Sequence, residues 1–185
     1  MNVEKTLQKN EQSINIFFYS YLMKMRGNQR IQTNVKLGDT IISASGGLIA
    51  ITLISFVAVL LGYPMILGPM GASCLLVFAA HSLPFSQPRQ IVGGHLISTF
   101  TALSIWNVFG KSHLSIGLTL AIVLFLMISL KFIHPPAAAS AMVAINTEAG
   151  WGFLLSIVLS SVLLILISLL YNNLFKNRQY PKQWI

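Results

Sequence analysis

Four long stretches of this chain carry almost no charge: Thr40 to Leu61, Gln90 to Gly110, His113 to Leu130 and Trp151 to Tyr171. A helix that crosses lipid needs about 20 consecutive apolar residues, and each stretch is read as one full span. Asp39 and Thr40 stand where the first begins, and short polar side chains cap the unbonded N–H groups of a helix start. His95 is the one ionisable group inside the second stretch.

Two shorter apolar stretches interrupt this pattern. One is "YPMILGPMGASCLLVFAA", residues 63–80, and the other is "FIHPPAAASAMVAI", residues 132–145. Proline tolerates the first turn of a helix, where its missing N–H would be unbonded anyway. Pro69 is therefore read as the start of one short helix, and Pro135 with Pro136 as the start of another. Running to Ala80 and Asn146, each would be about 18 Å long, well under the roughly 30 Å of a hydrocarbon core. The sequence alone leaves open whether they cross or re-enter. Moving the chain along by 67 places lays Pro69 on Pro136, Ala72 on Ala139 and Ser73 on Ser140. The long spans follow the same shift, so two three-element repeats are expected. If every element crosses, the second copy is inverted, a plan that recurs among transporters with broken helices.

Ahead of these stretches, residues 1–36 form a polar head. Within it "INIFFYSYLMKMRG" (14–27) puts Ile14, Phe17, Phe18, Tyr21, Leu22 and Met25 at helical spacing. That pattern predicts an amphipathic helix lying in the membrane interface. Residues 37–174 read as the transmembrane domain and 175–185 as a basic tail. The fold expected is all-α and polytopic, with about four full transmembrane helices and two short broken ones.

Composition agrees. The chain is 55% hydrophobic and 9% charged, against about 25% charge in soluble domains. Its lipid bilayer is therefore its first partner. The net charge of +8 comes from basic residues scattered around the spans, which fits the positive-inside rule and excludes a nucleic-acid partner. With the N-terminus inside and six crossings, every Lys and Arg except Lys111 falls on the inner side. If the short helices re-enter instead, Arg89 and Lys131 exchange sides with Lys111. Both arrangements put both termini in the cytoplasm, in a plasma membrane. A lone cysteine, Cys74, excludes an internal disulfide and reads as a small buried hydrophobe. His81, His95, His113 and His134 have no carboxylate or cysteine grouped with them, so no metal and no cofactor is expected. With no nucleophile–base pair either, the chain is not read as an enzyme.

The breaks carry the candidate chemistry. Free N–H groups and a partial positive charge make a helix start an anion site. "GPMGAS" (68–73) and "HPPAAAS" (134–140) place two such starts in the membrane, with Gly or Ala allowing close approach. The acids are Glu4, Glu11, Asp39 and Glu148, none inside a span, whereas cation pathways usually display Asp or Glu at depth. An anion or a neutral solute fits better. The bland alternatives are tight helix packing for the small residues, headgroup contact for Arg89 and Lys131, and packing for Met65, Met70 and Met142. The candidate substrate-binding residues are Pro69, Gly71, Ser73, Arg89, His95, His134, Pro136 and Ser140. In the expected mechanism the two helix starts face one shared site near the midplane. Backbone N–H groups after Pro69 and Pro136 donate, Arg89 attracts, and His95 or His134 gives a hydrogen bond or a proton for co-transport.

With "HPPAAA", "LGPMGASCLLVFA" (67–79), "QPRQIVGGH" (87–95) and "YLMKMRG" (21–27), the chain resembles the HPP family of small integral membrane proteins. The motif positions are Pro69, Gly71, Ser73, Gln87, Pro88, Arg89, Gly93, Gly94, His95, His134, Pro135 and Pro136. Cyanobacterial and chloroplast members are associated with nitrite transport. The resemblance therefore implies a small-anion transporter, with nitrite as the leading substrate. Two other readings stand beside it: a channel or carrier for a small neutral or weakly acidic solute, and a non-transporting scaffold or sensor subunit. A domain this small needs partners to enclose a pathway, which points to a homo-oligomer.

Overall fold

The computed structural model describes residue 16, residues 19–25 and residues 36–184. The chain forms two compact units, residues 1–35 and 36–185. In the first, residue 16 and residues 19–25 are helical, and Ile16, Tyr19, Tyr21, Leu22 and Met25 are exposed. Ile14, Phe17 and Phe18, which belong to the expected apolar stripe, lie outside the described residues.

The second unit is built from six helices: α1 (Leu37–Leu60), α2 (Leu67–Ala79), α3 (Pro88–Phe109), α4 (His113–Ser129), α5 (Pro135–Asn146) and α6 (Gly152–Asn172). Short 3-10 turns, Pro64–Ile66 and Pro84–Ser86, lead into α2 and α3. No strand occurs among the described residues. By length and composition α1, α3 and α6 suffice to cross a membrane. The fourth expected span, α4, is shorter than these three. α4 has 17 residues, or about 26 Å at 1.5 Å each. Its limits are set at both ends. Ser112 caps the start through a reciprocal box with Ser115, and Lys131, at φ 59°, turns the chain out of the helix. α5 runs over the 12 residues expected. α2 begins two residues before Pro69, because the turn at Pro64 already delivers helical backbone.

The helices alternate in direction. Phe78, at the end of α2, lies beside Ser43, near the start of α1, and its carbonyl accepts the Ser43 hydroxyl at 2.8 Å. Tyr63, before α2, stacks edge-on against Phe153 in the first turn of α6, with ring centroids 5.9 Å apart. α2 and α5 thus run antiparallel. The starts of α1 and α3 and the ends of α2, α4 and α6 share one side, where the C-terminal segment also packs. This is called the tail side below.

α3 is central and packs mainly on α5, with α4 and α6 against its flanks. α1 buries a narrow ridge, Gly46, Ala50, Ile54 and Ala58, at four-residue spacing. Many of its other apolar side chains, among them Leu53, Phe56 and Leu60, are exposed. An apolar exterior of this kind suits lipid, where it would be an aggregation hazard in water.

Candidate functional site

The extended stretch Phe132–His134 lies directly on α3. It fits because α3 offers Gly93 and Gly94 there. A methyl group on Gly94 would fall 2.8 Å from the His134 Cβ and 3.2 Å from the Phe132 carbonyl, and one on Gly93 would strike the Phe132 ring. A residue before proline is held extended, and His134 obeys this with φ −138° and ψ 97°. Its side chain does not cap α5. It turns inward instead.

Four fully buried polar side chains meet there: Ser73 from α2, His95 from α3, His134 from the extended stretch before α5, and Ser140 from α5. Ser73 Oγ lies 3.0 Å from His95 Nε2 and 2.9 Å from His134 Nε2. His95 Nδ1 lies 2.8 Å from Ser140 Oγ. His134 Nδ1 lies 2.7 Å from the carbonyl oxygen of Phe85, in the turn before α3. The two imidazole rings are edge-on, with centroids 5.0 Å apart.

Donor and acceptor chemistry orients this cluster. A carbonyl only accepts, so His134 Nδ1 carries the proton that points at Phe85. In a neutral ring His134 Nε2 must then accept, and its donor is the Ser73 hydroxyl. With its one hydrogen so used, Ser73 accepts from His95 Nε2–H, and His95 Nδ1 accepts from the Ser140 hydroxyl. Every bond has one donor and one acceptor, and both histidines are uncharged. The opposite setting would leave two lone pairs facing each other beside Ser73. Ser73 has one spare direction, since its Oγ also lies 3.0 Å from the Pro69 carbonyl.

The other expected site residues are placed differently. Pro69 is buried and contributes its carbonyl. Pro136 is buried in the first turn of α5. Gly71 points the other way, into an open groove with Thr40, Ser43 and Gly47 of α1. The Arg89 guanidinium stands 4.8 Å above the Phe132 ring and lines an apolar surface groove with Val92, Val162 and Trp184. It makes no hydrogen bond to the cluster.

Ser73, in the second turn of α2, and His134, at the start of α5, do meet. One expectation about the helix starts is corrected: α5 offers no free donors. Pro135 and Pro136 have no N–H, and Ala137 N–H bonds to the His134 carbonyl at 2.9 Å. The double proline removes the groups an anion would need.

Sequence reasoning missed two participants. Phe85 acts through its carbonyl, which every residue possesses. Arg178 lies in the basic tail yet is buried. It donates to the Phe78 carbonyl, Asn172 Oδ1, the Asp39 carbonyl and Ser43 Oγ at 2.8 to 3.2 Å. Gln87 ties down the same segment, accepting from the backbone N–H of Lys182 at 2.8 Å. Its amide donates to the carbonyls of His81 and Leu83.

Known proteins place this architecture. A transmembrane protein of Dictyostelium discoideum is 29% identical over 93% of this chain and 60% of its own length. A second transmembrane protein of that organism is 25% identical over 92% of this chain and 65% of its own length. The chain thus spans about three fifths of the length of these relatives. No solved structure matches. The model of the HPP transmembrane region covers residues 32–181, which include all six helices and the four buried polar side chains, so this integral membrane protein belongs to the HPP family.

Proposed function

We propose that this protein moves a small monovalent anion, nitrite first among candidates, across a plasma membrane together with a proton. The observation that carries the reading is the buried Ser73–His95–His134–Ser140 cluster in a domain whose helices hold no acid in their interior. Ionisable residues at membrane depth are expensive and tend to mark function. A proton added to either ring makes a buried cation. Among the described residues Asp39 pairs with Arg178 and Glu148 with Lys111, at opposite ends of the domain. With no carboxylate at hand, an anion is the species that would balance that charge.

In this reading the tail side is cytoplasmic. Lys36, Arg89, Lys131, Lys176, Arg178 and Lys182 lie on that side and Lys111 on the other, as the positive-inside rule asks. All six helices cross, and no covalent chemistry is involved. A second copy of the chain would complete the enclosure. The closed hydrogen-bond network supports a second reading, passage of the neutral weak acid, because the resting cluster has no donor left for an anion.

The test is nitrite uptake into proteoliposomes with and without an inward proton gradient. Protein-dependent uptake that the gradient accelerates, and that His134→Ala removes, is expected. Uptake unaffected by both His95→Ala and His134→Ala would sink the proposal. One anion moving with one proton carries no net charge, so the readings are separated by the variants: uptake that still follows the gradient in both His95→Ala and His134→Ala would favour the neutral acid.

A further inference from the structure

The hydrogen bonds of the cluster run in one direction, from Ser140 through His95 and Ser73 to His134 and the Phe85 carbonyl. From this order we infer that the four side chains form a proton relay that enters at Ser140 and ends on His134. The inference deepens the proton-coupled reading above and rests on it only for what the proton is used for.

The transfer balances atom by atom. A proton arriving at Ser140 Oγ displaces that hydroxyl's own hydrogen onto His95 Nδ1. The hydrogen on His95 Nε2 passes to Ser73 Oγ, and the Ser73 hydrogen passes to His134 Nε2. The chain ends with one proton more than before. His95 is again neutral, in its other tautomer, and His134 is an imidazolium. No bond other than O–H and N–H forms or breaks. Each hop crosses an existing contact of 2.8 to 3.0 Å.

The structure also selects where the proton rests. After the transfer His134 donates from both nitrogens, to the Phe85 carbonyl and to Ser73 Oγ. The Ser73 hydroxyl then needs a new acceptor. The Pro69 carbonyl is already 3.0 Å away, and His95 Nε2, now bare, is the alternative. The doubly protonated ring thus keeps every partner. His95 has no such provision. With both nitrogens protonated it would face only the Ser73 and Ser140 hydroxyls and no carbonyl, whereas His134 has the Phe85 carbonyl as a fixed acceptor.

The surroundings agree. α3 supplies His95, whose ring lies against His134. Arg89, also from α3, is held a layer away above Phe132. Lys131, at the end of α4, is exposed. α2, α5 and α6 bring no carboxylate. Ser73 is the joint of the relay, because its single hydrogen decides which histidine receives.

The experiment is solid-state NMR on the full-length protein in lipid bilayers, with the histidine side chains labelled with nitrogen-15. At neutral pH His134 should carry its proton on Nδ1 and His95 on Nε2. On acidification His134 should become doubly protonated first, while His95 changes tautomer without gaining charge. His134 in the Nε2–H form, or His95 charging first, would overturn the relay. Ser73→Ala should uncouple the rings, so that His95 keeps one tautomer across the titration. It should slow proton-driven uptake about a hundredfold, the low end for a positioned proton-transfer group. Ser98→Ala, whose hydroxyl bonds only the His95 carbonyl, is the matched control and should change neither readout. The expected tautomers without nitrite uptake would keep the relay and remove the substrate. Uptake with the wrong tautomers would do the reverse.

Discussion

Four hydrogen bonds converge on the guanidinium of Arg178, which joins the start of α1, the end of α2 and the end of α6. The last carbonyls of a helix lack partners within it and attract positive charge. Arg178 answers both needs at α2, and its forked geometry lets one side chain serve three elements. Arg178→Ala is expected to cost about 3 kcal/mol. Charge-assisted bonds each contribute about 1.5–3 kcal/mol and add incompletely. Arg178→Lys should recover less than half, since an ammonium cannot span the same acceptors. Thermal denaturation of the detergent-solubilised protein measures both. The basic tail was plain in the sequence, but the burial of one of its arginines was not. Nothing in "NRQYPKQW" separates a buried cation from a solvated one.

At the scale of elements, the glycines of α3 and α4 look alike in sequence and differ in role. Gly94→Ala places a methyl group against the His134 Cβ and the Phe132 backbone, neither of which can swing aside. Overpacking of this kind costs about 1–3 kcal/mol, and misplacement of His134 should also depress transport. Gly117, on α4, has nothing near its missing side chain. Gly117→Ala should instead stabilise by up to about 1 kcal/mol from helix propensity alone. Melting curves of the two variants, taken side by side, check the opposite signs. The start of α5 was legible because two adjacent prolines fit nowhere else in a helix. The start of α2 was less so. Pro64 and Pro69 both suit a first turn, where N–H groups are unbonded in any case, and the choice between them is made by packing. The serines of the expected repeat were legible as a pair, Ser73 on Ser140. That both bond the same histidine, one at each ring nitrogen, depends on how the two short helices embrace α3. One sequence does not show that placement.

For the whole molecule, the tail side carries a pH dependence of its own. His81, in the loop after α2, is partly buried, and its Nδ1 has no hydrogen-bond partner. Burial holds its pKa below 6.5, Arg178 and Lys182 push the same way, and Asp39 opposes them. The folded protein therefore resists a proton that the unfolded chain accepts. The stability His81 allows is complete above the ordinary histidine value of about 6.5. It is lost as the pH falls from there through the folded-state value. The melting temperature should drop over that interval, and His81→Gln should flatten its share of the drop. A melting temperature with the same pH profile in both proteins would contradict this. The sequence announced a membrane domain through its charge-poor stretches, yet it could not say how that domain is closed.

Arg178 bears on time as well as on stability. Ribosomes build proteins from the N-terminus, and Arg178 follows Asp39 by 139 positions. While α1 to α6 are being threaded into the bilayer, the residue that fastens the first helix to the second has not yet been made. The bundle must therefore be held in the interim by apolar ridges and glycine contacts, and it locks only after the sixth helix has left the ribosome. A released chain truncated before residue 178 would be inserted but unlatched, and so exposed to quality-control proteases.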